Sequence, residues 1–322
     1  MCLEFCMPPK GIINIRSSTG FIQLDDFDDI KKREKFISVF NPKGKRLLEV
    51  IGHYEFDEEI HCGLKDCNQP HKKGFIVLTS TEEETNIGNK CGEKIFGHLQ
   101  FSSLRKSYNT DFEIENNRKI IRASLTNLEN WYQRLIFHYI KSPDNARWAW
   151  ESIINDINPS VIGNFAFSEL NKMKRTLNGK VVVDIIATKE EAQLLQAQGK
   201  KPPYFIEKNL GEVKYVSVLS QGDELKRLVL DDIKNTLKLI EDINLDTCDD
   251  YKLLSNVAKR ANNIESTFRK IDSIIENAKK FFEKENFKPL YEKLENYYSG
   301  WDKNTNLKTF SDFINSLRSR VK

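Results

Sequence analysis

With 322 residues, 39% hydrophobic and 30% charged side chains and a formal net charge of +3, the chain is long enough for about two domains and too nearly neutral to demand a polyanionic partner. Its longest apolar run, KVVVDIIAT near residue 180, falls well short of the ~18 residues that cross a bilayer, and the start MCLEFCMPPKG lacks the basic and apolar regions of a secretory signal. Six cysteines in a chain of this length do not make a disulfide scaffold, so the expectation is a protein of the reducing cytoplasm without membrane contact.

Residues 1–108 carry short strand-like runs, GIINI, GFIQL, KFISVF, RLLEVIGHYEF and GFIVLTS, punctuated by Gly, Pro and Asn. From about residue 112 the texture turns helical. Ile121, Leu125, Leu128, Tyr132, Leu135 and Tyr139 recur at steps of three and four, one stripe of a helix. Pro143 and Pro159 bound a second helical piece with Trp148 and Trp150, and 161–178 read as a third, ending near Asn178-Gly179. KVVVDIIAT and EVKYVSVLS then predict two strands, with a short helix in KEEAQLLQAQGKKPP between them.

Helical texture resumes to the end. Val229, Ile233, Thr236, Ile240 and Ile243 alternate steps of four and three, and Leu254, Val257, Ala261, Ile264, Phe268, Ile271, Ile275, Ala278 and Phe282 do so over four heptads. A period of 3.5 is that of a coiled-coil seam. The expectation is an antiparallel helical hairpin, packed within a bundle or presented as an arm for a partner. The fold class predicted is α+β: a small β-rich zinc-binding head at 1–108, then a mostly α-helical body at 109–322 with a β insertion at about 180–221.

Chemistry concentrates in residues 59–97. Cys62, Cys67, His71 and Cys91 follow C-x4-C-x3-H-x19-C, and thiolate and imidazole are the ligands that structural zinc takes in tetrahedral fours. Gly63 relieves the turn behind Cys62, Pro70 stiffens the approach to His71, and Cys91 falls where a helix begins, a position expected to lower its pKa. His61 is an alternative to His71, and His98 lies two helical turns past Cys91, too far to reach. His53 and His138 read as surface or half-buried residues, and Cys2, Cys6 and Cys248 as plain thiols. The alternative to a zinc site is a set of separately buried cysteines.

A knuckle, a β-hairpin and a helix whose first turn closes the site resembles a treble-clef zinc finger, over roughly residues 60–105. The ending IGNKCGEKIFG is similar to that of uncharacterised zinc-finger modules in bacterial and mobile-element proteins. Treble clefs usually take two ligands from the helix, whereas here the helix offers Cys91 alone. The resemblance implies a structural Zn²⁺ and a surface for protein or nucleic acid, and no activity.

Charge divides unevenly. Residues 1–110 are close to balance, whereas 252–322 hold 15 Lys and Arg against 9 Asp and Glu, interleaved with Phe281, Phe282, Tyr291, Tyr297, Tyr298 and Trp301. That mixture suits phosphate contact and base stacking, or else a solvated helix face over an aromatic core. An enzymatic alternative rests on Glu169, Asp184, Glu212 and Lys214. Their order resembles the restriction-endonuclease-like PD-(D/E)xK nucleases, which implies carboxylates on Mg²⁺ and a lysine at the attacking water, but no Pro precedes Asp184 and Gly211 precedes Glu212. Phosphate-loop, dinucleotide, serine-hydrolase and HExxH motifs are missing from the sequence. The expected function is therefore non-enzymatic: a zinc-finger binding or adaptor protein in a macromolecular assembly, with a protein partner ahead of nucleic acid.

Overall fold

The computed structural model describes residues 11–18, 20–140, 142, 145–298 and 305–317. Cys2, Cys6, Pro143 and Trp301, all invoked above, lie outside the described residues. The fold is α+β, an antiparallel sheet followed by helices. The chain divides into two compact units, one of residues 1–122 with 244–258 and the other of residues 123–243 with 259–322. The first unit thus runs past residue 108 and takes in a distant segment that sequence separation alone conceals.

In the first unit, β1 (Gly11–Ser17), β2 (Gly20–Leu24), α1 (Phe27–Lys31), β3 (Leu47–His61), β4 (Pro70–Thr79) and β5 (Glu84–Ile87) lead to α2 (Asn89–Phe96) and α3 (His98–Leu125). The strands pair antiparallel in the order β2-β1-β3-β4-β5. Period-two alternation sends side chains to two faces. Ile13, Ile15, Ile51, Tyr54, Phe56 and Ile76 meet Phe27 and Ile30 of α1 in one core cluster. Leu47, Val50, Val77 and Ile87 meet Phe101 and Tyr108 of α3 in another, which also holds Cys62. The predicted strand KFISVF does not form; Phe36 and Phe40 make isolated bridges to Glu84 and Leu64. Arg33 grips Glu84 with two bonds of 2.6 and 2.8 Å, tying this irregular stretch to β5.

The 244–258 segment is fixed to α3 by polar contacts. Arg118 donates to the Cys248 carbonyl at 2.9 Å and to Asp249 at 2.6 Å, Arg122 reaches Asp246 at 3.3 Å, and the Tyr251 hydroxyl donates to Glu113 at 2.5 Å.

The second unit contains α4 (Leu128–Tyr139), α5 (Ala146–Glu151), α6 (Pro159–Ile162), α7 (Asn164–Thr176), β6 (Lys180–Ile186), α8 (Lys189–Ala197), β7 (Phe205–Glu212), α9 (Gly222–Arg227), α10 (Lys234–Asp242), most of α11 (Tyr251–Phe281), α12 (Lys288–Tyr298) and α13 (Thr305–Leu317). The heptad positions of α11 from Ala261 to Phe282 are all buried. They face neighbours in their own unit: Arg134 of α4 stacks over Phe268 at 3.9 Å, Trp131 donates to Glu265 at 2.6 Å, and Arg260 donates to Thr236 at 3.0 Å. A bundle core, not an unpartnered arm, accounts for the seam.

Three local expectations are corrected. The 121–139 stripe is broken by a turn at Thr126-Asn127, so Trp131 and His138 go inward, while Leu125 and Tyr139 are exposed. His138 is 3% exposed, buried rather than a surface or half-buried residue. The second strand of the insertion is Phe205–Glu212; in EVKYVSVLS the chain leaves the sheet through Tyr215, whose φ of 59° is left-handed, into a short 3₁₀ turn at Val216–Ser220.

Candidate metal centre

Strand β3 leaves the β4 register after Glu55, with Asp57, Glu58 and Glu59 exposed, and pairs again through Ile60 with His71 and His61 with Pro70 before turning at Cys62. The turn to β4 contains Asp66 and Asn68 at φ of 67° and 44°, the left-handed conformation that Asp and Asn tolerate best. This double reversal carries Cys67 back beside Cys62. Gly63 allows β5 to pass close behind, since a Cβ there would stand 2.4 Å from Thr85 Oγ1 and 2.7 Å from Asn86 Oδ1. Cys91 arrives from the other side in the first turn of α2, whose N-cap is Gly88.

The Sγ atoms of Cys62, Cys67 and Cys91 lie within 4.8 Å of one another, and this is the one group of three or more potential ligands of this kind among the described residues. Cys67 and Cys91 are 3.2 Å apart. A tetrahedral zinc with bonds of about 2.3 Å separates its sulfurs by about 3.8 Å, so small displacements would bring the three thiolates onto one ion. Backbone N–H groups support the sulfurs in a repeated manner: Cys62 faces those of Leu64 and Gly88, and Cys67 that of Gln69. Both knuckle cysteines are thus served by the residue two places on.

Without an ion the thiols differ. Burial pushes Cys62 up, against the pull of those N–H groups. Burial and then the Cys67 and Cys62 sulfurs push Cys91 up to about 12, so its seat at a helix start does not ionise it, contrary to the expectation from the sequence. Cys67 is held below its ordinary value: burial opposes this, but the Gln69 N–H, the other two thiols and Lys94 outweigh it. A bound cation would reverse the balance at Cys62 and Cys91, because a coordinating thiol is deprotonated outright.

His71 lies outside the sulfur group. Its Nδ1 is 3.1 Å from the Gln69 carbonyl and its Nε2 2.5 Å from the Tyr54 hydroxyl. With the proton on Nδ1, both nitrogens are satisfied, and burial lowers the pKa so that the ring is neutral at pH 7. The Tyr54 hydroxyl accepts in turn from Asn86 Nδ2 at 3.2 Å, and that amide also donates to the His61 carbonyl at 2.8 Å. Burial, together with the nearby Cys62 and Cys91, keeps Tyr54 protonated. Gly74 makes room for the pair, since a Cβ there would stand 2.4 Å from the Tyr54 oxygen. The His61 ring turns outward to the Asn68 carbonyl, and His98 is exposed beside Glu93. Tyr54 and Asn86 have no ligand spacing that would single them out in the sequence.

The residues of the nuclease alternative do not converge. Asp184 pairs across the β6–β7 sheet with Glu207, whereas Glu212 pairs with Lys180. Four residues of strand, about 13 Å, separate the two carboxylates. Glu169 is ion-paired with Lys293 at 2.7 Å, and the Lys214 backbone is bound by Asn286. Of the aromatics interleaved with basic residues, Phe281 and Phe282 are core residues and unavailable for stacking, while Tyr297 is exposed.

No protein-family model, curated protein or solved structure matches the chain. No helix among the described residues is long and apolar enough to cross a membrane.

Proposed function

We propose that the first unit is a zinc-stabilised, treble-clef-like binding module and that the chain is a non-enzymatic adaptor within a macromolecular assembly. The observation that carries this reading is the convergence of three sulfurs from a knuckle and a helix start at one end of the sheet. Zn²⁺ suits an all-thiolate group, and His71 is the proposed fourth ligand, reached by exchanging its bond to Tyr54 for one to the metal. In that role the ion cross-links the β3–β4 turn to α2 and contributes folding free energy directly. Among the described residues, clefts lined by Lys288 and Tyr291, by Ile153 and Leu219, and by Ser168 and Arg175 lie in the second unit, away from the thiols. A site closed by four protein ligands leaves no open coordination position, which supports a structural role over a catalytic one. A protein partner is favoured by the charge balance of the head and by Val39, Leu48 and Leu99, which stand open to solvent.

The test uses the full chain, zinc-loaded or stripped with chelator. An adaptor retains a defined protein partner only when loaded and binds DNA and RNA no better than a neutral control. Retention on DNA or RNA that falls steeply with salt would instead assign nucleic acid as the partner.

A further inference from the structure

We infer that Cys67 and Cys91 form an oxidation site: a peroxide converts them to a disulfide, which dismantles the metal centre. This inference rests on the proposed metal reading only for its consequence, since the pairing itself follows from the positions of the sulfurs.

The three cysteines are not equivalent. Cys62 is 4% exposed, packed in the core with Leu64 and Ile87, and its Sγ points to the Asn86 carbonyl. Cys67 and Cys91 are both partly open to solvent, and their sulfurs are already 3.2 Å apart. A peroxide therefore has access to two of the three, and those two face each other. A bond of about 2.05 Å requires the sulfurs to close by little more than 1 Å. Cys67 sits in an irregular turn between two left-handed residues and Cys91 in the first turn of a helix, so neither is held at the centre of a strand.

The chemistry balances with hydrogen peroxide as oxidant. One sulfur attacks the peroxide oxygen, the O–O bond breaks, and water leaves, giving a sulfenic acid. The second sulfur attacks the sulfenyl sulfur and displaces a second water. Two thiols lose two electrons and two protons, and hydrogen peroxide becomes two waters. The disulfide removes two thiolate donors from the site. Cys62 and His71 remain, too few to retain a structural zinc.

The experiment treats the full-length zinc-loaded protein with hydrogen peroxide and follows released zinc with a chromogenic chelator, alongside peptide mapping of disulfides. The result expected is a Cys67–Cys91 disulfide that appears before Cys248 is modified, zinc released in step with it, and recovery of both thiols and zinc on reduction. The same mapping on chelator-stripped protein tests the pairing apart from the metal. A Cys67–Cys91 disulfide in a protein that never held zinc would sustain the oxidation site and remove only its consequence. Pairing of Cys62 with either partner, no Cys67–Cys91 disulfide, or zinc retained after that disulfide forms would overturn the inference. Cys248→Ser should leave the course of zinc release unchanged, and Cys91→Ser should abolish the disulfide.

Discussion

In the second unit, Ile264, Phe268, Ile271, Ile275 and Ala278 are each no more than 3% exposed and follow one another along a single helix. In the first unit, the β3–β4 turn has Cys62 and Leu64 buried amid Asp57, Glu58, Glu59, Lys65, Asp66 and Asn68, all exposed. One region is held by many small apolar contacts along a line. The other has too little apolar surface for that and has a few directional links instead: the Arg33–Glu84 fork, the Tyr54–His71 pair and, on the proposed reading, a metal held by the three cysteines. Distributed packing fails only when a charge or a cavity enters it, while point links fail one at a time and locally. The two regions should therefore respond to different perturbations.

The largest effect is expected from Ile271→Asp, which places an unpaired carboxylate in the middle of the seam. The cost should reach about 4 kcal/mol or more, enough to unfold the helical unit. Loss of the helical circular dichroism signal checks it, and a fully helical protein of reduced mass would mean that the seam joins two chains instead. Next comes removal of the metal or Cys62→Ser, which should cost several kcal/mol, confined to the head. Hydrogen exchange should show lost protection around residues 60–92 and none in α11.

Arg33→Ala strands Glu84, 6% exposed, without its partner. Because the Arg33 side chain is itself 32% exposed, the cost should fall near the lower end of that for a broken buried pair, about 3 kcal/mol. Arg33→Ala with Glu84→Gln should recover part of it, as a thermal or denaturant melt of the double variant would show.

The smallest effect concerns pH. Burial lowers the pKa of His138, partly offset by Asp272, with Arg134 acting in the same direction as burial. The unfolded chain then binds more protons than the native one below the ordinary histidine value of about 6.5. Stability of the second unit should be intact above that pH and fall as pH drops through it toward the lowered native pKa. His138→Phe should flatten this slope below about pH 6.5.

How much of this was legible in the sequence differs between the regions for the same physical reason. The α11 seam was readable because helical burial repeats with a fixed period, and each of its positions from Leu254 to Phe282 is buried. The strands β1 to β4 and β6 were readable from apolar runs between turn residues. The break at Asn127 was not, since it carries no Pro or Gly; past it Leu135 stays inward as expected, but Trp131 and His138 join it in place of Tyr132 and Tyr139. At the candidate site, the three cysteines were legible from ligand type and spacing. Tyr54 and Asn86 were not, because they reach His71 through the register of three strands. The lowered thiol was assigned to Cys91 from its helix start, yet it is Cys67, since burial among other sulfurs outweighs a helix end and the Gln69 N–H favours its neighbour.

The central claim is that a metal ion holds the end of the head together. Metal analysis of the full chain, purified without chelator as wild type and as Cys67→Ser, tests it most directly. The account predicts close to one zinc per chain in the wild type and a marked loss in the variant, with the helical signal of both unchanged. No metal in a natively folded wild type, or equal zinc in the two proteins, would contradict it.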